Sequence, residues 1–355
     1  MTASIIVNAH TLRDYCQALF ESVGMAAEEA YANADSLVDA DLKGIDSHGV
    51  SRMPIHLKRI RLGVVKPSHE LTLVNEAPSA AVFDAGNSMG ALVSLRAMDY
   101  VMAKAKTTGV AFATVKNSNH YGTAGYYVEQ AIKQGMIGFS ATNGMARMAP
   151  WGGRAPFFGT NPFAVGVPAD KELPIIVDMA TSLVARGKIV IANQNKQTIP
   201  LGWALNKDGE DTTDPAEALV GTVLPFAGAK GSAIALLIDV MTGILSGSVY
   251  GPHVKDMYAD FSNPTGTSHI FGAINVEAFI PAGGFRRTVD TMIREIKSSQ
   301  PAKNVTEIFL PGEIEQRKRL QRLQDGVPLS APVYNDLKRE GEVCGIPFTL
   351  AGSEA

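Results

Sequence analysis

Short apolar runs, separated by glycine-rich turns, fill the middle of the sequence from residue 71 to residue 275. Runs of about four to eight β-branched or alternating residues are typical of strands, whereas helices need about ten or more residues of helical spacing. The runs are 71–74, 81–84, 110–115, 137–141, 163–167, 175–178 and 269–275. Helical spacing is found at 91–107, 123–134, 232–245 and 285–297. The pattern predicts an α/β body at roughly 70–300.

Both ends of the chain predict helices. The apolar stripe of residues 12–23 predicts a first helix with Thr11 as its cap. Further helices are expected, in order, at 26–43, from Asp46 or Ser47 to Gly63, at 313–324 and at 331–340. We expect these helical ends to pack on each other or on a partner chain.

Bulk properties limit the functional class. A chain of 355 residues exceeds one typical domain, so two lobes are expected. The net charge of −3 excludes the basic surface of a nucleic-acid-binding protein. Two cysteines make no disulfide framework and indicate a reducing cytoplasm. With no signal-peptide pattern and no apolar stretch of bilayer length, we expect a cytoplasmic protein without membrane partners.

Neither of the two common nucleotide-binding motifs is present. The sequence has no G-x-G-x-x-G after a strand and no phosphate loop ending in Gly-Lys-Ser/Thr, because Ile189 follows Lys188 and Gly231 follows Lys230. No histidine has the spacing of a metal ligand, and Ser47 is not in a nucleophile elbow. We therefore expect no metal site, and any nucleotide would bind through a different motif.

The segment Asp46–Arg52 is the strongest candidate for chemistry. His48 lies between Ser47 and Gly49 at the start of the expected helix, and Arg52 follows one helical turn later. Histidine exchanges protons near neutral pH, Ser47 can hold one ring nitrogen, Gly49 lets a ligand approach, and a guanidinium grips a carboxylate bidentately. The alternative is an Asp-Ser cap followed by a surface histidine and arginine. Spacing alone leaves both interpretations open.

Three further segments are weaker candidates. Residues 116–125, which contain His120, join a strand to a helix whose amides could hold a phosphate, although a polar connector is the better interpretation in isolation. Asp178 either accepts ribose hydroxyls or caps the helix toward Arg186, and the cap is favoured from sequence alone. Lys230, between small residues, either reaches a phosphate or is solvated.

Taken in order, these segments resemble the malate/L-lactate dehydrogenase family, which is distinct from the Rossmann-type lactate and malate dehydrogenases. That family also contains ureidoglycolate dehydrogenase, sulfolactate dehydrogenase, diketogulonate reductase and the cyclic imine reductases acting on piperideine-2-carboxylate. The resemblance rests on 46–52, 120–124, 151–153, 159–162, 178–182, 186–188, 212–215, 229–231 and 311–313. It covers nearly the whole chain.

The resemblance implies an α/β (α+β) fold with a mixed, mostly antiparallel central sheet wrapped by helices. It also implies a non-Rossmann dinucleotide site, a homodimer, and helical N- and C-terminal segments. We expect one helical domain from residues 1–70 plus 300–355, carrying His48 and Arg52. Residues 71–299 are expected to form the NAD(P)-binding domain, with an inserted helical or dimerisation part near 120–160.

Residue roles follow from the same resemblance. His48 is the proton donor, oriented by Ser47, and Arg52 binds the substrate carboxylate. Lys188 is expected among the catalytic residues with His48 and Ser47, and it matches the hydroxy-acid dehydrogenases, since the cyclic imine reductases carry an aspartate there. His56, where ureidoglycolate dehydrogenase has tyrosine, His120 and Thr160 are expected near the substrate. The expected cofactor contacts are His120, Tyr121, Gly122, Thr123, Ala124, Asn143, Gly144, Asp178, Met179, Ala180, Lys230, Pro311, Gly312 and Glu313.

The sequence therefore predicts an oxidoreductase that uses NAD or NADP and interconverts a small 2-oxo acid and its 2-hydroxy acid. The expected partner is a small carboxylate substrate, as in malate, lactate, ureidoglycolate or sulfolactate oxidation. One alternative is an NAD(P)H-dependent reductase of cyclic imines such as piperideine- or pyrroline-2-carboxylate. The other is a non-catalytic dinucleotide-binding protein on the same scaffold.

Overall fold

The structure is a computed structural model that describes residues 4–68 and 70–354. Its helices are α1 Ala9–Ser22, α2 Ala27–Leu42, α3 Met53–Arg61, α4 Gly90–Thr108, α5 Gly125–Lys133, α6 Arg186–Gln194, α7 Pro215–Val220, α8 Ala229–Asp239, α9 Ala282–Ser298, α10 Glu313–Asp325 and α11 Ala331–Cys344. Its strands are β1 Ser4–Val7, β2 Thr72–Ala77, β3 Ala80–Asp84, β4 Val110–Ser118, β5 Ile137–Thr142, β6 Phe163–Val167, β7 Ile175–Met179, β8 Ala204–Leu205, β9 Thr222–Val223, β10 Thr267–Ile274, β11 Val327–Ser330 and β12 Ser353–Glu354. All the strands and helices predicted between 71 and 297 are found.

A large sheet forms the centre of the molecule. Within the described residues it has seven strands in the order β2-β3-β4-β10-β5-β6-β7. Only β3 and β4 pair in parallel there, and the other neighbours are antiparallel. The predicted mixed, mostly antiparallel sheet is therefore confirmed.

Helices cover both faces of this sheet because its strands alternate apolar residues between the two faces. Phe271 and Ala273 of β10 pack with α4 and α5, whereas Ile270 packs with Ile238 of α8. The central strand β10 is thus buried on both sides, whereas the edge strand β2 is exposed along its whole length.

The two ends of the chain share one apolar core, as expected. Side chains of α1, α2, α3, β11 and α11 form a single buried cluster. The ends are not purely helical, however, because β11, β1 and β12 form a small sheet. The first helix is capped by Asn8 and not by Thr11: the Asn8 carboxamide accepts hydrogen bonds from the amides of His10 and Thr11. Asparagine in extended conformation is among the best N-caps.

The region near 120–160 contains α5, then β5 of the large sheet, and then a loop. It is therefore continuous with the large sheet, and its role in dimerisation remains a prediction. A separate small core lies further along, where α6, α7, β8 and β9 pack around Ile189 and Val223. No helix within the described ranges is long and apolar enough to cross a membrane.

Candidate active site

The segment Asp46–Arg52 is not one α-helix. It forms two short 3-10 turns, Asp46–His48 and Val50–Arg52, separated at Gly49, and α3 begins only at Met53. The expected continuous helix from Asp46 to Gly63, with His48 and Arg52 one turn apart on the same face, is therefore wrong. Gly49 interrupts it because its backbone is extended, with φ −86° and ψ −154°.

Gly49 makes room for a carboxylate of the protein. Asp41, at the end of α2, accepts a hydrogen bond of 2.8 Å from the amide of Val50. A Cβ on Gly49 would lie 1.9 Å from Asp41 Oδ1. A glycine is needed at position 49 because Asp41 packs closely against it, and not because a ligand must approach there. Burial raises the pKa of Asp41 to about 8, with the Val50 amide opposing that shift.

The same segment is anchored from the C-terminal part of the chain. Arg322 of α10 donates a hydrogen bond of 2.9 Å to the carboxylate of Asp46. The same guanidinium also donates to the carbonyl oxygen of Asp41. Asp41 and Asp46, which both precede His48 in the chain, are thus held by one side chain that is distant in sequence.

Ser47 links His48 to Arg52. The Ser47 hydroxyl lies 3.0 Å from His48 Nδ1, and the Ser47 carbonyl accepts a hydrogen bond of 2.6 Å from Arg52 Nε. A hydroxyl both donates and accepts, so Ser47 can pair with Nδ1 in either protonation state of the ring. The Ser47 hydroxyl therefore lies where it could orient the His48 ring, as the predicted role requires.

Three histidines are gathered beside Arg52. The ring of His120 lies 5.7 Å from the ring of His48 and 5.3 Å from that of His56, centre to centre. Burial and the Arg52 charge lower the pKa of His48 to about 4. Burial, with Arg52 and Arg59 adding to it, lowers the pKa of His56 to about 3. The pKa of His120 is also well below its usual value, chiefly through burial. Without a ligand, the cluster is therefore neutral.

Arg52 has no carboxylate partner among the described residues. Its Nε is used by Ser47, and its Cζ lies 5.4 Å from the ring centre of Tyr258. Burial lowers the pKa of Arg52. An ionised guanidinium held this way presents its terminal nitrogens to an incoming anion.

The loop before α5 is held mainly from inside the protein. Tyr121 is buried and stacks on His269 at 4.4 Å, and His269 in turn contacts the hydroxyls of Thr142 and Ser118 at 2.8 Å each. Gly122 and Ala124 are also buried. Thr123 differs, because its hydroxyl is buried without a partner and its side chain lines a cavity. Of this loop, His120 and Thr123 are best placed for ligand contact.

That cavity has a volume of about 420 Å³ and lies where three elements begin or end. The start of α5, the end of β7 and the start of α10 contribute Gly125, Asp178, Met179, Pro311 and Gly312 to its wall. Asp178 accepts a hydrogen bond of 2.7 Å from the Gly125 amide, so it caps α5 and not the helix toward Arg186. Crowding by protein atoms raises the pKa of Asp178 to about 6, against that hydrogen bond and the Lys43 charge.

The turn before α10 contributes Pro311 and Gly312 to the cavity wall, whereas Glu313 is not part of it. Gly312 has φ +85°, which favours glycine, and the Pro311 carbonyl accepts a hydrogen bond of 3.0 Å from Ile176. Glu313 instead points to cations of the protein, with Lys297 at 2.6 Å and Arg317 at 2.5 Å. Its carboxylate therefore stabilises the turn, while Pro311 and Gly312 face the cavity.

The remaining predicted contacts lie along the 143–182 and 224–231 segments. The Asn143 carboxamide is buried and already bonded to Val249 and Ser268, and the Gly144 amide is bonded to Asn161. Thr160 is half-buried, and its carbonyl accepts from Thr181. Ala180 is half-buried beside Met179. Their contacts with substrate or cofactor stay predictions.

Lys188 and Lys230 are exposed near the starts of α6 and α8. Neither amino group forms a hydrogen bond or an ion pair within the part of the chain that the structure describes. The segments that carry them are neighbours, because the Leu183 amide donates a hydrogen bond to the Leu224 carbonyl. In the same way, the Phe226 amide donates to the Thr181 carbonyl. Both lysines are thus free to meet an anion, although no contact joins Lys188 to His48.

Sequence reasoning missed Asp41, Arg322, Tyr258 and His269. Asp41, Arg322 and Tyr258 reach the segment Asp46–Arg52 from other elements, and no local pattern marks them. A histidine within the apolar strand β10 is a weak signal for His269. In 4–68 and 70–354, no group of three or more His, Cys, Asp or Glu side chains could hold a metal ion.

Comparison with known proteins identifies the family of this chain. The family model described as malate/L-lactate dehydrogenase matches residues 7–338. The L-sulfolactate dehydrogenase of Methanocaldococcus jannaschii is 42% identical over 92% of each chain, and the malate dehydrogenase of Pyrococcus horikoshii is 37% identical over 91% of each.

Solved structures show the same likeness. The sulfolactate dehydrogenase structure from Methanocaldococcus jannaschii matches with a TM-score of 0.90, covering 96% of this chain and 98% of that one at 40% identity. The Δ1-piperideine-2-carboxylate reductase structure from Pseudomonas syringae matches with a TM-score of 0.85 at 26% identity, covering 94% and 99%.

Proposed function

The chain belongs to the malate/L-lactate dehydrogenase family, and from this premise we propose that it interconverts a small 2-oxo acid and its 2-hydroxy acid with NAD or NADP. Membership makes it an oxidoreductase acting on hydroxy acids. In the reducing direction, His48 protonates the oxygen at C2 while Arg52 holds the carboxylate. The observation that carries the proposal is the Ser47 bridge, which places the proton donor and the cation in one rigid unit.

The low pKa of His48 is an obstacle that the substrate itself removes. Burial and the Arg52 charge, and not a helix amino terminus, lower that pKa in the free protein. A substrate carboxylate on Arg52 neutralises this charge and adds a negative one nearby, so it raises the pKa of His48 toward neutrality. The acid is thus charged only when its substrate is bound.

The cavity at Asp178 supports a dinucleotide. Its volume suits part of such a ligand, Thr123 presents an unpartnered hydroxyl, and Asp178 presents an acceptor for ribose hydroxyls. A bound nicotinamide cofactor supplies or accepts the hydride. The Asp178 carboxylate would orient the sugar, while exposed Lys230 is free to meet a phosphate.

Reduction of a cyclic imine is the second candidate function, favoured by the likeness to the piperideine-2-carboxylate reductase structure. The residue at position 188 counts against it, because Lys188 stands where those reductases carry an aspartate. A carbonyl acceptor therefore remains the proposal.

His48→Ala tests the proposed function. The variant should bind NADH as the unmodified protein does, measured by nicotinamide fluorescence, and lose turnover with every 2-oxo acid. His10→Ala, on the exposed face of α1, is the matched control and should retain activity. An active His48→Ala variant would remove His48 from the chemistry. Binding without oxidation by the unmodified protein across the panel would favour a non-catalytic dinucleotide-binding protein.

We further propose a homodimer in a reducing, cytoplasmic setting. Leu236, Leu237, Ile244 and Leu245 are all about half exposed or more along and just after α8, which is typical of a covered apolar surface. Cys16 and Cys344 are both free thiols. Light scattering on the purified protein, with Leu237→Glu as the disrupting variant, measures the oligomeric state.

A further inference from the structure

A loop at residues 256–263, far from Arg52 in sequence, is held against the helix that follows Arg52. Arg59 of α3 is only 2% exposed, yet it forms no ion pair within the described residues. Its guanidinium donates hydrogen bonds to the carbonyls of Met257 at 3.1 Å, Asp260 at 2.5 Å and Asn263 at 3.1 Å. One buried arginine thus fixes both ends of the loop.

Further contacts make the loop rigid. The Asp260 carboxylate accepts hydrogen bonds of 2.9 Å from the amides of Ser262 and Asn263, which closes the turn. The Asp256 carboxylate pairs with Arg147. Lys58 lies 3.9 Å from the ring centre of Phe261. A loop braced this way is a preformed wall.

Tyr258 is the residue of this wall that meets Arg52. Its ring centre lies 5.4 Å from Arg52 Cζ, within the range of a cation–π contact. The side chain is 39% exposed, and its hydroxyl has no hydrogen-bond partner among the described residues. Since Arg52 Nε is used by Ser47, a carboxylate bound at the terminal nitrogens would leave the Tyr258 hydroxyl free for another substrate group.

The charge around the wall favours a second negative group. The nearby cations are Arg52, Lys58, Arg59, Arg147 and Lys255, against the carboxylates of Asp256 and Asp260. Cations exceed carboxylates there, and one substrate carboxylate does not balance them. A substrate with two acidic groups fits this field better than one with a single group.

We propose that Tyr258 determines substrate specificity: its ring supports Arg52, and its hydroxyl donates a hydrogen bond to a carboxylate or sulfonate on C3 of the 2-oxo acid. The substrate class is then a 2-oxo acid with two acidic groups. This inference rests on the proposed function. Arg59 acts as a positioning residue, because it holds the loop and does not touch the substrate.

Three variants test the proposal with pyruvate, oxaloacetate and 3-sulfopyruvate as probes. Tyr258→Phe keeps the ring and removes the hydroxyl, so kcat/KM should fall about tenfold for the two diacids and stay within about twofold for pyruvate. Tyr258→Leu also removes the ring, so KM should rise for all three. Tyr250→Phe is the matched control, because Tyr250 is similarly exposed at 40% but its ring packs edge-to-face against His253. It should change none of the values.

The outcomes separate this proposal from the proposed function. If Tyr258→Phe changes the three substrates equally, or none, the hydroxyl does not read the second acidic group and the inference is overturned. If pyruvate is the best substrate of the unmodified enzyme, the diacid class is overturned while the oxidoreductase remains. If none of the 2-oxo acids supports oxidation of NADH or NADPH by the unmodified enzyme, the proposed function itself fails.

Discussion

The segment Asp46–Arg52 and the cavity at Asp178 hold their polar groups in opposite ways. In the segment, side chains from other elements fix the backbone, as Asp41 does at Val50 and Arg322 at Asp46. At the cavity, the ends of β7, α5 and α10 converge and leave about 420 Å³ open. The segment therefore depends on exact shape, whereas the cavity depends on a few exposed polar atoms.

The two regions also disfavour opposite charges. Near the segment, burial keeps His48 neutral with a pKa of about 4. At the cavity, Asp178 is exposed to solvent, but crowding by protein atoms raises its pKa to about 6 and so favours its protonated form. In each region the protein therefore disfavours a charge that the bound ligand would stabilise, namely the positive charge of His48 and the negative charge of Asp178. An anionic substrate supports a protonated histidine, and hydroxyl donors of a ribose support an ionised aspartate.

Gly49→Ala should have the largest effect, because the new Cβ would lie 1.9 Å from Asp41 Oδ1. The turn must shift by an ångström or so, and a misplacement of that size costs about 100-fold in kcat/KM. Circular dichroism should show a folded protein. Gly284→Ala, where a Cβ meets nothing within 4 Å, is the control. A Gly49→Ala variant within about threefold of the unmodified enzyme would contradict the dependence on shape.

Arg52→Lys should raise KM for a 2-oxo acid by about tenfold, with a smaller change in kcat. Lysine keeps the charge but loses both the fork that binds a carboxylate and the Nε contact with Ser47. Steady-state kinetics at saturating cofactor measures the effect, and KM for the cofactor serves as the internal control. An unchanged KM for the acid would remove Arg52 from substrate binding.

Asp178→Asn should weaken cofactor binding by about tenfold while α5 stays capped, because the amide oxygen can still accept from Gly125. In the unmodified protein, the cofactor Kd should also rise as the pH falls through about 6, where Asp178 gains a proton. Fluorescence titration of NADH across pH measures both effects. The pH dependence should be absent in Asp178→Asn, and its persistence would assign it to another group.

The smallest expected effect is on stability at acid pH. The folded pKa of His48, about 4, is below the unfolded value of about 6.5, so the unfolded chain binds more protons between them and stability falls on acidification. The folded pKa of Asp178 is raised to about 6, so its contribution has the opposite sign between about pH 4 and pH 6.

Substitution should separate these two contributions. Between pH 6 and pH 4, His48→Gln should make the fall in Tm shallower by roughly 2 °C. Asp178→Asn should make the fall steeper by a smaller amount, because Asp178 is exposed and solvent screens its charge. Differential scanning calorimetry measures the slopes. Equal slopes in both variants would show that the two regions do not differ in charge preference.

The sequence predicts the strands well because period-two apolar runs such as 163–167 depend on local burial alone. It predicts His48 and Arg52 because their chemistry is adjacent in sequence. It does not predict the break at Gly49, because the cause is a carboxylate eight residues earlier that packs there only after α2 folds. The sequence does not predict the position of Tyr258 for the same reason. The loop that carries Tyr258 is held against α3 by Arg59, which is about two hundred residues away in sequence.

The pair between Asp46 and Arg322 has a consequence for how the protein is made. The two residues are 276 positions apart, and β1 pairs with β11 over a similar span. During synthesis, α2 and the segment after it emerge early, but their anchor leaves the ribosome only with the last helices. A truncated chain that ends before α10 would thus carry His48 and Arg52 without the contact that fixes their backbone, and competence is acquired at the end of translation.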